Sequence, residues 1–370
     1  MIRLEKSQYD LAKQLFADLA NSQLFCAGVL AGTYDGAVYV DDLENPQAGF
    51  VRKDGMWWFL AGNPPAENFI QALNIALWDK SLTGEDSWGG MLVCHPDGWE
   101  SAIHTLYAPH KPIKTERLHY IASTMAWDWQ SQIPEGITIR FANQTLLDDG
   151  ISLPDTVANV VTLRQESEQP DTRAMGYVAV DKNKVVAYAV IDCIVGTGGD
   201  LGFFTDPNYR RRGLGSIVSA AVIAYALKYG LDTIHWDCES FNHGSIKTAE
   251  KLGLTLDHRH GMYNLMFNPK IHAINLGWKE IDIGEYVAAR DFATSEIATY
   301  GKDGVHYHMH YILARALFGV GQPNAALSAL QDAAEYGWDN AEEAESDFVD
   351  LMKMPLWEGI IAKIHENAKQ

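Results

Sequence analysis

Three arginines, two glycines and a serine stand within seven residues, Arg210-Arg211-Arg212-Gly213-Leu214-Gly215-Ser216. These residue types at this spacing can hold a phosphate. Glycine lets the backbone approach an anion where a side chain would collide. Arginine adds charge-assisted hydrogen bonds. The unpaired amides at a helix start point outward, and the helix dipole favours negative charge there. The flanks supply such a helix. Leu201 to Thr205 reads as a strand that Pro207 stops, and Ser216 with Ile217 to Leu227 reads as an apolar, alanine-rich helix. A strand over Thr233 to Cys238 follows, then Asn242-His243-Gly244-Ser245 and a second helix closing at Lys251-Leu252-Gly253-Leu254. A short glycine motif alone fits a basic surface turn equally well. The order strand, basic turn, helix, strand, polar turn, helix tips the reading toward a pyrophosphate.

Gly196-Thr197-Gly198-Gly199 is a weaker phosphate loop. No Lys-Ser/Thr pair follows it, and Asp200 would repel an anion. Gly196 to Asp200 therefore reads as a hairpin turn.

The stretch resembles the acetyl-CoA-binding core of the GNAT superfamily of N-acetyltransferases. Arg210-Arg211-Arg212-Gly213-Leu214-Gly215 matches the superfamily's Gln/Arg-x-x-Gly-x-Gly/Ala signature in full. The wider pattern is similar to the bacterial subfamily named for zwittermicin resistance. It comprises Val-Tyr-Val-Asp-Asp at 38–42, Asp-Pro-x-Tyr-Arg-Arg-Arg-Gly-Leu-Gly at 206–215, then Trp-Asp-Cys, then Asn-x-x-Ser-x-x-x-Ala-Glu-Lys-Leu-Gly at 242–253. The resemblance implies an α/β (α+β) GNAT fold and acetyl-CoA as acyl donor, lying between two splayed parallel strands. It implies that backbone groups near Phe203, Phe204 and Thr205 pair with the pantetheine arm, and that one amide polarises the thioester carbonyl. The pyrophosphate would fall to Arg210, Arg211, Arg212, Gly213, Leu214, Gly215 and Ser216. Asn242 and Ser245 match the family's Asn-x-x-Ser element, and Asn242 also suits an N-cap.

The sequence departs from the family at one point. Many GNAT enzymes carry a tyrosine in the second helix as general acid for the leaving thiolate, and Ala249 stands there. Tyr263 would have to serve from a later strand, or the thiolate leaves without a side-chain acid. A base is needed to deprotonate the amine. His235, Asp237 and Glu239 alternate onto one face of a strand. Glu239, at the strand exit, is the catalytic candidate, and a water relay is the alternative.

No metal site is expected. His258 and His260 fall in a hairpin approach. His306, His308 and His310 fall on a helix where only His306 and His310 share a face, and two histidines without a third ligand make a weak site.

The formal net charge of -19 speaks against nucleic acid as a partner and suits a cationic amine. Cys26, Cys94, Cys193 and Cys238 are widely spaced, which suggests buried free thiols. The start resembles no signal peptide and no apolar run reaches membrane-spanning length, so a cytoplasmic protein is expected.

At 370 residues, two or three domains are expected. Residues 1–135 read as strand, helix, hairpin around Lys53-Asp54-Gly55, helix, strand, helix, which suggests a degenerate GNAT-like copy that binds no cofactor; an unrelated α/β domain fits as well. Pro109 to Gly136 reads as the crossing. Residues 136–270 form the acetyltransferase domain, with a polar run from Gln165 to Pro170 and a hairpin across Asp181-Lys182-Asn183. Residues 271–370 read as an all-α domain of about five helices. Gly321-Gln322-Pro323-Asn324-Ala325-Ala326 there resembles half of a tetratricopeptide repeat, and these helices would form a cap, a partner surface or a dimer contact.

The expectation is an acetyl-CoA-dependent N-acetyltransferase acting on a primary amine of a small molecule, with antibiotic self-resistance as its purpose. The alternatives are an acyltransferase with another donor and an acyl-CoA-sensing or partner-binding protein. Specificity lies in loops that carry no readable motif.

Overall fold

The computed structural model describes residues 1–53, 55–64, 66–167 and 173–369. Asp54 of the first hairpin turn and residues 168–170 of the polar run lie outside them. The chain divides into two compact units. The first comprises residues 1–85, 90–108 and 114–264; the second comprises 86–89, 109–113 and 265–370.

The first unit opens with β1 (Ile2–Arg3), three short helices α1 (Asp10–Lys13), α2 (Ala17–Ser22) and α3 (Leu24–Leu30), then β2 (Gly36–Val40) and β3 (Ala48–Lys53). There follow β4 (Trp57–Gly62), α4 (Glu67–Trp78), β5 (Gly89–His95), α5 (Glu100–Tyr107) and β6 (Ile113–Ala122). After β7 (Ile137–Phe141), α6 (Thr145–Asp148), α7 (Asp155–Gln165), β8 (Met175–Asp181) and β9 (Lys184–Val195), the pattern recurs. It runs β10 (Gly198–Thr205), α8 (Leu214–Lys228), β11 (Thr233–Glu239), α9 (His243–Lys251) and β12 (Thr255–Met266). Strand, helix, strand, helix, strand thus appears twice. In both copies the first two strands pair in parallel, β4 with β5 and β10 with β11. This is a tandem GNAT-like α+β fold.

The copies share one sheet, in the order β1-β2-β3-β4-β5-β12-β6-β11-β10-β9-β8-β7. The last strands are exchanged: β12 of the second copy lies against β5 of the first, and β6 of the first lies against β11 of the second. In β6, buried Ile113 and Thr115 alternate with exposed Lys114 and Glu116, and Leu118, His119 and Tyr120 are all buried, so residues 109–136 hold a strand rather than only a crossing. His258 and His260 sit inside β12, not in a hairpin approach. β10 begins at Gly198, so Asp200 lies within the strand and pairs with Cys193 on one side and His235 on the other.

The core of the second copy is built on α8, which buries Leu214, Ile217, Val218, Val222 and Ile223 against β9, β10 and β11. A helix apolar on most sides belongs between a sheet and its surroundings.

The second unit is helical: α10 (Pro269–Asp282), α11 (Tyr286–Tyr300), α12 (Tyr307–Gly319), α13 (Pro323–Glu335), α14 (Ala341–Asp347) and α15 (Trp357–Asn367). Alanines 314, 326, 329, 333 and 334 are buried where α12 and α13 cross, and Trp338 stacks on Tyr311 at 3.6 Å between centroids. His306 is the N-cap of α12 rather than a helical residue, and its ring accepts from the His308 amide. His310 is buried, its Nε2 3.1 Å from the Lys302 carbonyl, so this trio does not share a helical face. Among the described residues, no helix is long and apolar enough to cross a membrane.

Candidate active site

β10 and β11 pair in register only over Gly198↔Thr233, Gly199↔Ile234 and Asp200↔His235. Beyond that point Phe203 of β10 and Trp236 of β11 pack together between the parting strands, 4.7 Å between centroids and tilted by 36°. Trp236 is anchored by its Nε1–H, which donates to Ser245 Oγ at 3.0 Å. β10 therefore presents its edge from Leu201 onward to an opening instead of a neighbouring strand.

That opening is a cleft of roughly 830 Å³. Phe203, Phe204 and Thr205 line it from β10; Arg210, Arg211, Gly213, Leu214, Gly215 and Ser216 line it from the turn and the first turn of α8; Asn242 and Ser245 line it from the start of α9. Twelve cofactor residues were expected from the sequence, and Arg212 alone stands outside the lining, its guanidinium 4.9 Å over the Tyr209 ring. α8 starts at Gly213 with φ +80° and no side-chain cap, so its first amides have no side-chain acceptor. The two glycines serve different ends. Gly213 supplies the left-handed conformation; a Cβ there would meet only Lys251 Nζ, at 3.9 Å. Gly215 supplies close packing, since a Cβ would come within 3.1 Å of the Phe203 ring and of Thr205 Oγ1.

Asn242 is the N-cap of α9, its Oδ1 accepting from the Ser245 amide at 3.0 Å. The Ser245 hydroxyl is occupied by Trp236, so Ser245 braces the cleft wall. Lys247 and Lys251, which the sequence does not single out as site residues, also line the cleft, and so do Tyr209 and Thr248. Their spacing along α9 puts 244, 247, 248 and 251 on one helical face, which is the signal that was there to be read. The lining holds Arg210, Arg211, Lys247 and Lys251, and among the described residues it holds no carboxylate. In a chain of net charge -19 this basic cleft fits a phosphate-bearing cofactor.

A smaller pocket of roughly 180 Å³ adjoins the same strand. Leu201 and Gly202 line it, so β10 passes from this pocket into the cleft between residues 202 and 203. Asp200, Asp237 and Arg117 form its polar part. Phe25 and Trp57, stacked 5.8 Å apart, form an aromatic wall from the first copy, beside Gln23. Arg117 Nε donates to Asp237 Oδ1 at 2.7 Å, and its NH1 donates to Glu239 Oε1 at 3.1 Å. His260 Nε2 lies 2.8 Å from Asp237 Oδ2. Burial works against a charge on Asp237, but the His119 and His260 imidazoles and the Arg117 guanidinium hold it well below the usual carboxylate range. Asp200 has the opposite setting. Burial first, then the charges of Asp237 and Asp192, push its carboxyl up to about 7 against the pull of Arg117.

His235, Asp237 and Glu239 do share one face of β11, meeting His119 and Arg117 of β6. Glu239 lines neither the cleft nor the acidic pocket; Arg117 holds its Oε1, and its Oε2 is buried without a hydrogen-bond partner. Asp200, read from the sequence as a turn residue, lines the acidic pocket instead. Ala249 is fully buried in α9. Tyr263 packs edge-on against Tyr107 with Lys114 over its ring, away from the cleft lining.

A family model described as GNAT acetyltransferase matches residues 13–263, more than half of the chain. The chain belongs to the GNAT acetyltransferase family. This GNAT enzyme is a transferase, and the matched residues span both copies and leave the helical unit outside. An N-acetyltransferase of Bacillus subtilis, YdfB, is 24% identical over 260 residues, covering 68% of this chain and 93% of that protein. A GCN5-related N-acetyltransferase-like protein of Streptococcus suis has a similar fold, with a TM-score of 0.54 and 24% identity over 70% of this chain and 98% of its own.

Proposed function

We propose that this GNAT enzyme transfers an acetyl group from acetyl-CoA to a primary amine of a small molecule. One observation carries the reading: β10, irregular at Asp200/Leu201, leads from a pocket holding Asp200 into a basic cleft bearing the signature turn. The amides at the start of α8, with Arg210, Arg211, Lys247 and Lys251, would hold the pyrophosphate and neighbouring phosphates. The unpaired edge of β10 at 203–205 would pair with the pantetheine arm.

Acetyl-CoA supplies the thioester whose acetyl group the amine takes. The remaining work falls to the chain. Asp237, kept charged, attracts an ammonium to the acidic pocket, and the faces of Phe25 and Trp57 add attraction for the cation. Asp200 accepts the ammonium proton, so that the nitrogen lone pair is free to attack the thioester carbon. A base that titrates near 7 is suited to that transfer at neutral pH. Amides of β10 at the mouth of the cleft donate to the carbonyl oxygen as charge builds there. The thiolate leaves without a side-chain acid at position 249 or 263.

Other parts of the reading rest on resemblance alone. The zwittermicin-type pattern supports antibiotic self-protection as the purpose, and a cytoplasmic location is proposed with it. The domain limits proposed are 1–135, 136–270 and 271–370, the last a tetratricopeptide-like surface for a protein partner or second copy. The test is thiol release from acetyl-CoA across a panel of small amines, for the wild type and Asp200→Asn. Release with at least one amine, reduced at least 100-fold in the variant, supports the reading. Acetyl-CoA binding without release by any amine would favour an acyl-CoA sensor.

A further inference from the structure

β6 and β12, the two exchanged strands, are neighbours at the seam of the two copies. A ring nitrogen of His119 on β6, a ring nitrogen of His258 on β12 and a carboxylate oxygen of Asp257 lie within 4.8 Å of one another. We infer that His119, Asp257 and His258 form a binding site for a divalent transition-metal ion of the zinc and cobalt class.

The donor set selects that class. Two imidazoles and one carboxylate suit zinc, cobalt or nickel, whereas magnesium and calcium take oxygen ligands almost throughout. The donors are already gathered: His258 Nδ1 lies 2.8 Å from Asp257 Oδ2. An independent sign comes from His119. Its ring is 1% exposed, and its Nδ1 is buried 3.8 Å from Asp237 Oδ2, beyond hydrogen-bond reach. Buried polar atoms are seldom left without a hydrogen bond, and the His119 ring stands beside the two further donors. The other nitrogen, Nε2, lies 3.1 Å from His235 Nδ1. A contact of this kind, to the ring nitrogen that does not ligate, orients histidines in metal sites. The adjacent cation does not oppose the ion, because Arg259 is engaged by Glu116 at 2.7 Å.

The site is also reachable. Asp257 and His258 line a cavity of roughly 600 Å³ together with Asp18, Gln23 and His95. Three protein ligands leave a coordination position open, and here it would face this cavity. Gln23 borders both this cavity and the acidic pocket of the proposed acetyl acceptor. An ion here would tie β6 to β12 and offer a Lewis-acidic position next to the acceptor pocket. The histidine pairs visible in the sequence missed it, because His119 comes from a strand far back in the chain.

The test uses the full chain after dialysis against a chelator. Co²⁺ is titrated with detection of its visible d–d bands, and Zn²⁺ is titrated by calorimetry. One equivalent is expected, with affinity lowered at least 10-fold by His258→Ala and by Asp257→Asn. Both residues are partly or fully exposed, so these variants keep the fold, which circular dichroism verifies. His306→Ala, at the other histidine cluster, should leave binding unchanged. The inference is overturned by no binding near one equivalent, by affinity unchanged from the wild type in both seam variants, or by loss of binding in His306→Ala. The readout is independent of acetyl transfer.

Discussion

Asp200 and Asp237 stand on neighbouring strands where β10 and β11 part, in one pocket, with opposite preferences for a proton. Arg117, His119 and His260 keep Asp237 charged, while burial and that very charge keep Asp200 protonated up to about 7. Two carboxylates whose surroundings drive them apart suit the acid–base roles proposed above, one to attract a cation and the other to exchange its proton.

The rate should therefore rise with pH through about 7, as Asp200 loses its proton and becomes the base. Asp200→Asn should lower kcat at least 100-fold and remove that rise. Stability should move the other way. A carboxyl whose folded pKa is raised favours the folded state less as pH climbs from the ordinary carboxylate range to about 7. Above neutral pH, Asp200→Asn should melt at or above the wild-type temperature. A clearly lower melting temperature there would show that Asp200 has a structural role instead.

Arg117 bridges Asp237 and Glu239 with little exposure on any of the three side chains. Removing one partner of such a network leaves charge buried and unpaired. Arg117→Ala should cost about 3 kcal/mol of stability in denaturant titrations near pH 7. Asp237's share of that stability has the usual carboxylate sign: its depressed pKa makes the contribution full above the ordinary carboxylate range, and it is lost only under strong acidification. A loss below about 0.5 kcal/mol, the size of a surface pair, would mean the network is solvated.

Gly215 sets the distance between α8 and β10, because a Cβ would press on Phe203 and Thr205. Gly215→Val should widen the cleft wall and weaken coenzyme binding at least 10-fold, at a cost of about 1–3 kcal/mol in stability. Calorimetry and thermal melting read the two effects separately. Unchanged binding would remove the packing argument for this glycine.

The exchange of β6 and β12 makes the copies interdependent. A fragment of residues 136–270 lacks β6, so β11 loses its antiparallel neighbour from Arg117 to Ala122. Such a fragment should fail to give a cooperative melt, and adding residues 1–135 as a separate chain should restore one. A fragment that folds alone would contradict the shared sheet.

The second copy was largely legible because its chemistry is local: signature turn, preceding strand and following helix lie within thirty residues, and the structure gathers most of them around one cleft. The exchanged strands were not. β6 carries Lys114, Glu116, Arg117 and His119, and β12 carries Asp257, His258, Arg259 and His260, so both look like polar loops. They are strands because Glu116, Arg117 and His119 find their partners on β11 and β12. Asp200 was hidden for a related reason. Three glycines before it suggested a turn, and only pairing with His235 and Cys193 makes it part of β10. Local pattern reveals the cleft proposed for the cofactor, whereas the acidic pocket is assembled from Gln23, Trp57, Arg117, Asp200 and Asp237, which nothing in the sequence links.

The central claim is that the cleft under the signature turn binds acetyl-CoA. Calorimetric titration of acetyl-CoA into the wild type and Gly213→Trp tests it most directly. The account predicts one equivalent bound by the wild type and none by the variant, whose indole would fill the space at the start of α8. No binding by the wild type, or equal binding by both proteins, would contradict it.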